Sequence, residues 1–146
     1  MNNKVAILGK LPSKYFAPFE DMSYDIWTCN YNEVLARVDH IFDIHSHGAN
    51  PKATITRSNF PFTQCERLVG GQYFNNTFSY MIAYAILKGY KEIEIYGCRF
   101  IHDQEIREQQ MESVRLMIFF ARGRGIKVTT PADEGYLLKE YPLYGI

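Results

Sequence analysis

Residues 4–14 read KVAILGKLPSK, an apolar run followed at once by glycine, proline, serine and lysine. The apolar part, residues 5–8, is typical of a strand buried on both faces in a parallel sheet. Gly9 then allows close approach of the backbone, while Ser13 and Lys14 offer a hydroxyl and a compact positive charge. This run predicts the central strand of an α/β fold, followed in sequence by a loop that faces a ligand.

The rest of the chain alternates strand-like and helix-like segments. Strands are predicted at residues 24–29, 41–45, 92–96 and 126–129, and a short one at residues 53–56 inside a long loop over residues 46–72. Helices are predicted at residues 32–38, 75–88 and 104–122. Such alternation implies parallel pairing through right-handed crossovers. We therefore predict one Rossmann-like domain over residues 1–146, a three-layer sandwich whose mainly parallel sheet has about five strands in the order 3-2-1-4-5.

Composition and charge restrict the classes of function that we expect for this chain. The 16 basic and 16 acidic residues cancel, which argues against a protein that binds nucleic acid polymers non-specifically. Three widely spaced cysteines predict neither a disulfide framework nor a four-cysteine zinc site, and they suit a cytoplasmic protein. No apolar run is long enough to predict a membrane span. The tyrosine-rich tail and the aromatic content of 15% predict a homo-oligomer.

In an open α/β sheet, ligands bind outside the carboxyl ends of the strands. Residues that follow strands or begin a helix are therefore the predicted ligand-binding set: Gly9, Ser13, Lys14, His45, Asn76, Thr77, Gly97 and Arg99. Lys14 and Arg99 would neutralise phosphate, and the hydroxyl and amide groups would donate hydrogen bonds. The predicted ligand is a nucleotide-like or phosphate-bearing small molecule.

Catalytic and metal motifs are weak by comparison. Asp43, His45 and His47 alternate along a strand, so the two imidazoles share one side of it, but no third ligand is evident and we predict no metal and no cofactor. The chain also lacks a phosphate-binding loop motif, a dinucleotide fingerprint and a nucleophile elbow. This favours a non-catalytic binder. The alternatives are a transferase or hydrolase acting on nucleotides or sugar phosphates, with His45 or Glu112 as base, and a partner-binding accessory protein.

Several segments together resemble a group of small phage-encoded proteins with a Rossmann-like fold. They are residues 5–9 with Pro12 and Ser13, 41–45, 79–83, 94–97, and 123–126 with Pro131. More distantly, the chain is similar to pterin pyrophosphokinase-like and flagellin-modification proteins, which share a Gly-x-x-Pro-Ser opening and a Tyr-Gly strand end. By analogy, the resemblance implies an anti-defence sponge that sequesters a bacterial immune nucleotide signal in the host cytoplasm. Arg99 stands where the phage group has an acidic residue, which favours anion capture.

Overall fold

The computed structural model describes residues 2–100, 104–132 and 137–145, and within them one parallel sheet forms the centre. Its strands are β1 (Lys4–Leu8), β2 (Tyr24–Cys29), β3 (His40–Asp43), β4 (Ile55–Thr56), β5 (Glu92–Tyr96) and β6 (Lys127–Ala132). The order is β4-β3-β2-β1-β5-β6, and every neighbouring pair is parallel. The predicted Rossmann-like α/β class and the order of the five predicted strands are confirmed. β4, the short strand predicted at residues 53–56, is the sixth strand and lies at one end of the sheet.

β1 is central because it pairs with β2 on one side and β5 on the other. The side chains of Val5 and Ile7 point into the core under the helices, while those of Ala6 and Leu8 point to the opposite face. All four are fully buried. A strand covered on both faces has no position for a polar side chain, which is why the sequence is apolar without alternation here.

Three α-helices pack on the face of the sheet that carries Val5 and Ile7: α1 (Phe62–Val69), α2 (Thr77–Leu87) and α3 (Gln104–Gly123). The two longer helices confirm the helices predicted at residues 75–88 and 104–122. α1 was not predicted, because its eight residues are too few to show a clear period inside the loop at 46–72. Within the described ranges, no helix combines the length and apolarity needed to cross a membrane.

The opposite face has a thinner cover. It consists of a 3-10 turn over Pro12–Phe16 and irregular chain, from which Ala17, Phe19 and Val34 pack on the sheet. The third layer of the sandwich is therefore mostly irregular chain.

The helix predicted at residues 32–38 is wrong, since this segment is irregular with a bend at residues 35–36. The side chain of Asn32 is turned inward and donates to the carbonyl oxygens of Leu8 and Gly9. The Arg37 guanidinium binds the backbone carbonyls of Phe19, Asp21 and Tyr24. These tertiary hydrogen bonds tie the segment to the sheet and outweigh its weak helical propensity.

Candidate functional site

All six strands point the same way, so their carboxyl ends form one side of the molecule. We call this side the carboxyl edge; it comprises residues 9–14, 30–32, 43–50 and 97–99 together with the start of α2. The predicted ligand-binding residues all belong to these segments or to the residues that begin α2. The structure therefore places the predicted set on one side of the sheet, as the topological rule requires.

The two predicted glycines touch each other. A Cβ atom on Gly9 would stand 2.2 Å from the carbonyl oxygen of Gly97, and the Gly9 N–H donates to the carbonyl oxygen of Tyr96 at 2.7 Å. Gly97 has φ +65°, a left-handed conformation that favours glycine. These glycines let the loops after β1 and β5 meet backbone against backbone. The close approach predicted at Gly9 is thus made to another segment of the chain.

Lys14 is buried, with 8% of its surface exposed. Its Nζ donates to Asn32 Oδ1 at 2.9 Å and to the Glu33 carbonyl oxygen at 2.6 Å. An ammonium has three hydrogens; these oxygens engage two of them, and the Nζ also lies 5.3 Å from the centre of the Tyr15 ring. The neighbouring Ser13 is also buried, and its Oγ has no hydrogen-bond partner among the described residues.

Asn32 completes this network and was not among the predicted residues. Its Nδ2 donates to Thr28 Oγ1 at 2.8 Å as well as to the Gly9 carbonyl oxygen at 2.7 Å. One buried amide therefore joins the ends of β1 and β2 to the Lys14 ammonium. Its place in an apparently helical segment hid this role from the sequence.

The start of α2 meets the end of β2. Asn76 caps the helix, because its Oδ1 accepts from the Ser79 N–H at 3.0 Å, and its Nδ2 donates to the Gln110 carbonyl oxygen at 3.2 Å. Thr77 Oγ1 donates to Asn30 Oδ1 at 3.5 Å. Asn76 thus serves the fold, while Thr77 remains half-buried beside Asn30 at the carboxyl edge.

Asn30 holds an unusual backbone conformation and was missed by the sequence reasoning. Its φ is +57°, a left-handed conformation that asparagine tolerates better than most residues. Its carbonyl oxygen accepts from Asn50 Nδ2 at 2.9 Å. The sequence signal for Asn30 is a polar residue directly after a predicted strand.

Asp43 and His45 form an oriented pair at the end of β3. The Asp43 side chain is 1% exposed, whereas the His45 ring is 59% exposed, and their Oδ1 and Nδ1 atoms are 2.7 Å apart. Burial alone would raise the pKa of the Asp43 carboxyl, but hydrogen bonds from the Asn50 N–H and from His45 outweigh it and hold the pKa below its ordinary value. An ionised carboxylate only accepts hydrogen bonds, so Nδ1 carries the hydrogen and Nε2 faces away from the pair.

The Cys29 thiol is buried at the end of β2. Burial raises the pKa of the Cys29 thiol to about 12, with the charge of Lys10 opposing and that of Asp43 adding to the shift. The thiol is therefore protonated at neutral pH and is a poor nucleophile. The Lys10 side chain is exposed, and so is that of Arg99, which follows Gly97 by two residues.

The described residues contain no group of three or more His, Cys, Asp or Glu side chains that could hold a metal ion. A hollow of about 780 Å³ lies elsewhere, between α3 and residues 137–141, and none of the predicted ligand-binding residues lines it. Because ligands of this fold class bind at the strand ends, the carboxyl edge remains the candidate site.

The comparisons with known proteins concern the fold. Neither protein-family models nor curated proteins match the chain. Among solved structures, it is similar to an α-2,3-sialyltransferase from Campylobacter jejuni in apo form, with TM-score 0.56, 17% identity, and coverage of 97% of this chain and 80% of that chain. It is also similar to the sialyltransferase CST-II in complex with a trisaccharide acceptor and CMP, with TM-score 0.53, 17% identity, and coverage of 92% and 83%. At these identities the likeness establishes a shared Rossmann-like fold.

Proposed function

We propose that the chain binds a nucleotide at its carboxyl edge and acts as a transferase that uses a nucleotide sugar. The observation that carries the proposal is a hydrogen-bonded path from the start of α2 to an exposed imidazole. It runs from Thr77 to Asn30, from Asn30 to Asn50, from Asn50 to Asp43 and from Asp43 to His45. Polar groups from two strand ends and a helix start are thereby held in one fixed arrangement, which suits an oriented polar ligand.

The charges at this edge suit the phosphate of such a ligand. The Asn76 side chain caps the Ser79 N–H at the start of α2, and the helix dipole there attracts an anion. Lys10 places an exposed ammonium near the end of β2, where its charge influences Cys29. We assign phosphate binding to Lys10 and the helix start, with Arg99 as the predicted further cation.

A platform for the base is available next to Asn30. Tyr31 is 62% exposed, and its hydroxyl donates to the Gly48 carbonyl oxygen at 2.9 Å. An aromatic ring held at one end and exposed on its face is suited to stacking. We assign the base to this ring.

The solved structures favour transfer over storage. One similar sialyltransferase was solved with CMP and a trisaccharide acceptor, which supports a cytidine nucleotide and a sugar as ligands of this chain. The sequence alone favoured a sponge that holds a nucleotide signal intact. Both roles require nucleotide binding, and they differ in whether the ligand leaves unchanged.

Calorimetry with CMP, the other nucleoside monophosphates and cytidine tests the binding. We expect one monophosphate to bind at least about tenfold more tightly than its nucleoside, the equivalent of one charge-assisted contact. Asn30→Gly should weaken that binding by about tenfold, because glycine keeps the φ of +57° without strain while the amide is lost.

Thr129→Val, on β6 and away from the carboxyl edge, is the matched control and should bind like the wild type. Incubation with nucleotide sugars followed by chromatography then separates the two roles. Released nucleotide supports transfer, and intact donor recovered from the protein supports a sponge. If no monophosphate binds, or if Asn30→Gly binds as the wild type does, the proposed site is wrong.

A further inference from the structure

We propose that His45 is the proton acceptor of the transfer reaction and that Asp43 is its positioning residue. The inference rests on the proposed function, since it needs a nucleotide sugar at the carboxyl edge. It is carried by the geometry of residues 43–50. These residues hold one imidazole in a fixed orientation at the surface.

Three hydrogen bonds hold the buried carboxylate, and one of them joins it to the His45 ring. Asp43 Oδ2 accepts from the Asn50 N–H at 2.9 Å, and Oδ1 accepts from the backbone N–H of His45 at 3.2 Å and from its Nδ1 at 2.7 Å. Asp43 itself is the last residue of β3, where it pairs with Thr56 of β4. The carboxylate therefore has little freedom, and it sets both the tautomer and the direction of the ring.

The orientation leaves Nε2 as the reactive nitrogen. With its hydrogen on Nδ1, a neutral His45 has a lone pair on Nε2, and gaining a proton there gives an imidazolium that the Asp43 carboxylate stabilises. A carboxylate acting on an exposed imidazole in this way is a general arrangement for proton transfer. Glu112, the other base considered from the sequence, lies exposed on α3 beside a separate small hollow lined by Tyr73 and Asn75.

The position of the pair fits the reacting end of the donor. Asn50 contacts both Asp43 and the backbone of Asn30, so the imidazole and the proposed nucleotide site share one support. The Asp43 carboxylate and the Lys10 ammonium lie near this end of β2 and β3, since both charges act on Cys29, and His47 lies exposed two residues beyond His45. A base here faces the phosphate end of a nucleotide bound against Asn30 and Thr77.

The step is a single displacement. The acceptor hydroxyl oxygen forms a bond to the anomeric carbon of the donor sugar, and its proton passes to His45 Nε2. The bond between the anomeric carbon and the phosphate oxygen breaks, and its electron pair leaves with the nucleotide. The imidazolium then returns the proton to water, so no other reactant is needed.

Three variants of the full chain test the inference: His45→Gln, Asp43→Asn and, as the matched control in the same loop, His47→Gln. Each is assayed, with a sugar acceptor present, for nucleotide release from a panel of nucleotide sugars between pH 5 and 9 and, separately, for nucleotide binding by calorimetry. We expect His45→Gln to lower kcat by about 10²–10⁴-fold while changing nucleotide affinity by less than about threefold. His47→Gln should match the wild type in both measurements.

The pH dependence of kcat tests the proton-transfer role. We expect kcat of the wild type to depend on pH between 5 and 9 and that of His45→Gln to lose this dependence. Asp43→Asn should lower kcat and change its pH dependence, because the carboxylate that stabilises the imidazolium is missing.

The possible failures are distinguishable. Wild-type turnover with an unchanged kcat in His45→Gln overturns the inference and leaves the proposed function standing. A kcat loss in His45→Gln without any change in the pH dependence of kcat also overturns the proton-transfer role. Nucleotide binding without cleavage of any donor by the wild type overturns the inference and reduces the function to binding. Absence of binding overturns the proposed function itself.

Discussion

The Lys14 ammonium is expected to stabilise the fold, and Lys14→Met tests this directly. Methionine keeps a long apolar side chain but removes the two hydrogen bonds to Asn32 Oδ1 and the Glu33 carbonyl oxygen. An acceptor that stays buried without its charged donor costs about 1–3 kcal/mol. For two acceptors in one network, we expect the free energy of unfolding to fall by about 2–5 kcal/mol.

Urea denaturation followed by circular dichroism measures this loss. With a slope of about 2 kcal/mol per M, the midpoint should move down by about 1–2.5 M. Lys10→Met is the matched control, because Lys10 is an exposed lysine in the same loop, and it should stay within about 0.5 kcal/mol of the wild type. If Lys14→Met unfolds at the wild-type midpoint, or if Lys10→Met loses as much, the network is not what holds this loop.

Four further outcomes are expected. Gly9→Ala should lower the free energy of unfolding by about 1–3 kcal/mol or more, because its Cβ would stand 2.2 Å from the Gly97 carbonyl oxygen. A Cβ on Gly123 meets nothing within 4 Å, so Gly123→Ala should not destabilise the protein. Thermal melts of both variants test this. The pKa of Asp43 lies below its ordinary value of 3.8, so its stabilising effect is complete above about pH 4 and is lost as pH falls through the folded-state pKa. The gap in urea midpoint between wild type and Asp43→Asn should therefore shrink below pH 4, and a gap that widens there would contradict the assignment. Arg99→Ala should weaken nucleotide binding by about 10–100-fold with unchanged unfolding, and equal affinities by calorimetry would remove Arg99 from the site. Light scattering at micromolar concentration should give about twice the 17.0 kDa chain mass, and a monomer mass would rule out the predicted dimer.

Local patterns were sufficient for most of the fold. The unbroken apolar run of β1 and the apolar faces of α2 and α3 reflect burial that depends only on residue spacing along each element. Parallel pairing and strand order then follow from the alternation of elements and the preference for right-handed crossovers. α1 could not be predicted in this way because eight residues span barely two helical turns. The segment at 32–38 was predicted wrongly because its conformation depends on residues elsewhere in the chain.

For the candidate site, the sequence determined which side of the sheet carries the polar residues, since in a parallel sheet all strand ends lie together. It did not determine what those residues do there. Lys14 and Arg99 are both cations after a strand, yet Lys14 is buried against Asn32 while Arg99 is exposed. Likewise, the sequence presents Asp43 and His45 as two polar residues on one strand, and only the fold shows the buried carboxylate holding an exposed ring. The physical reason is that burial and hydrogen-bond partners depend on groups that the fold brings together from distant segments, as it does Asn50 and Asn30. The spacing of residues along one element does not reveal these groups.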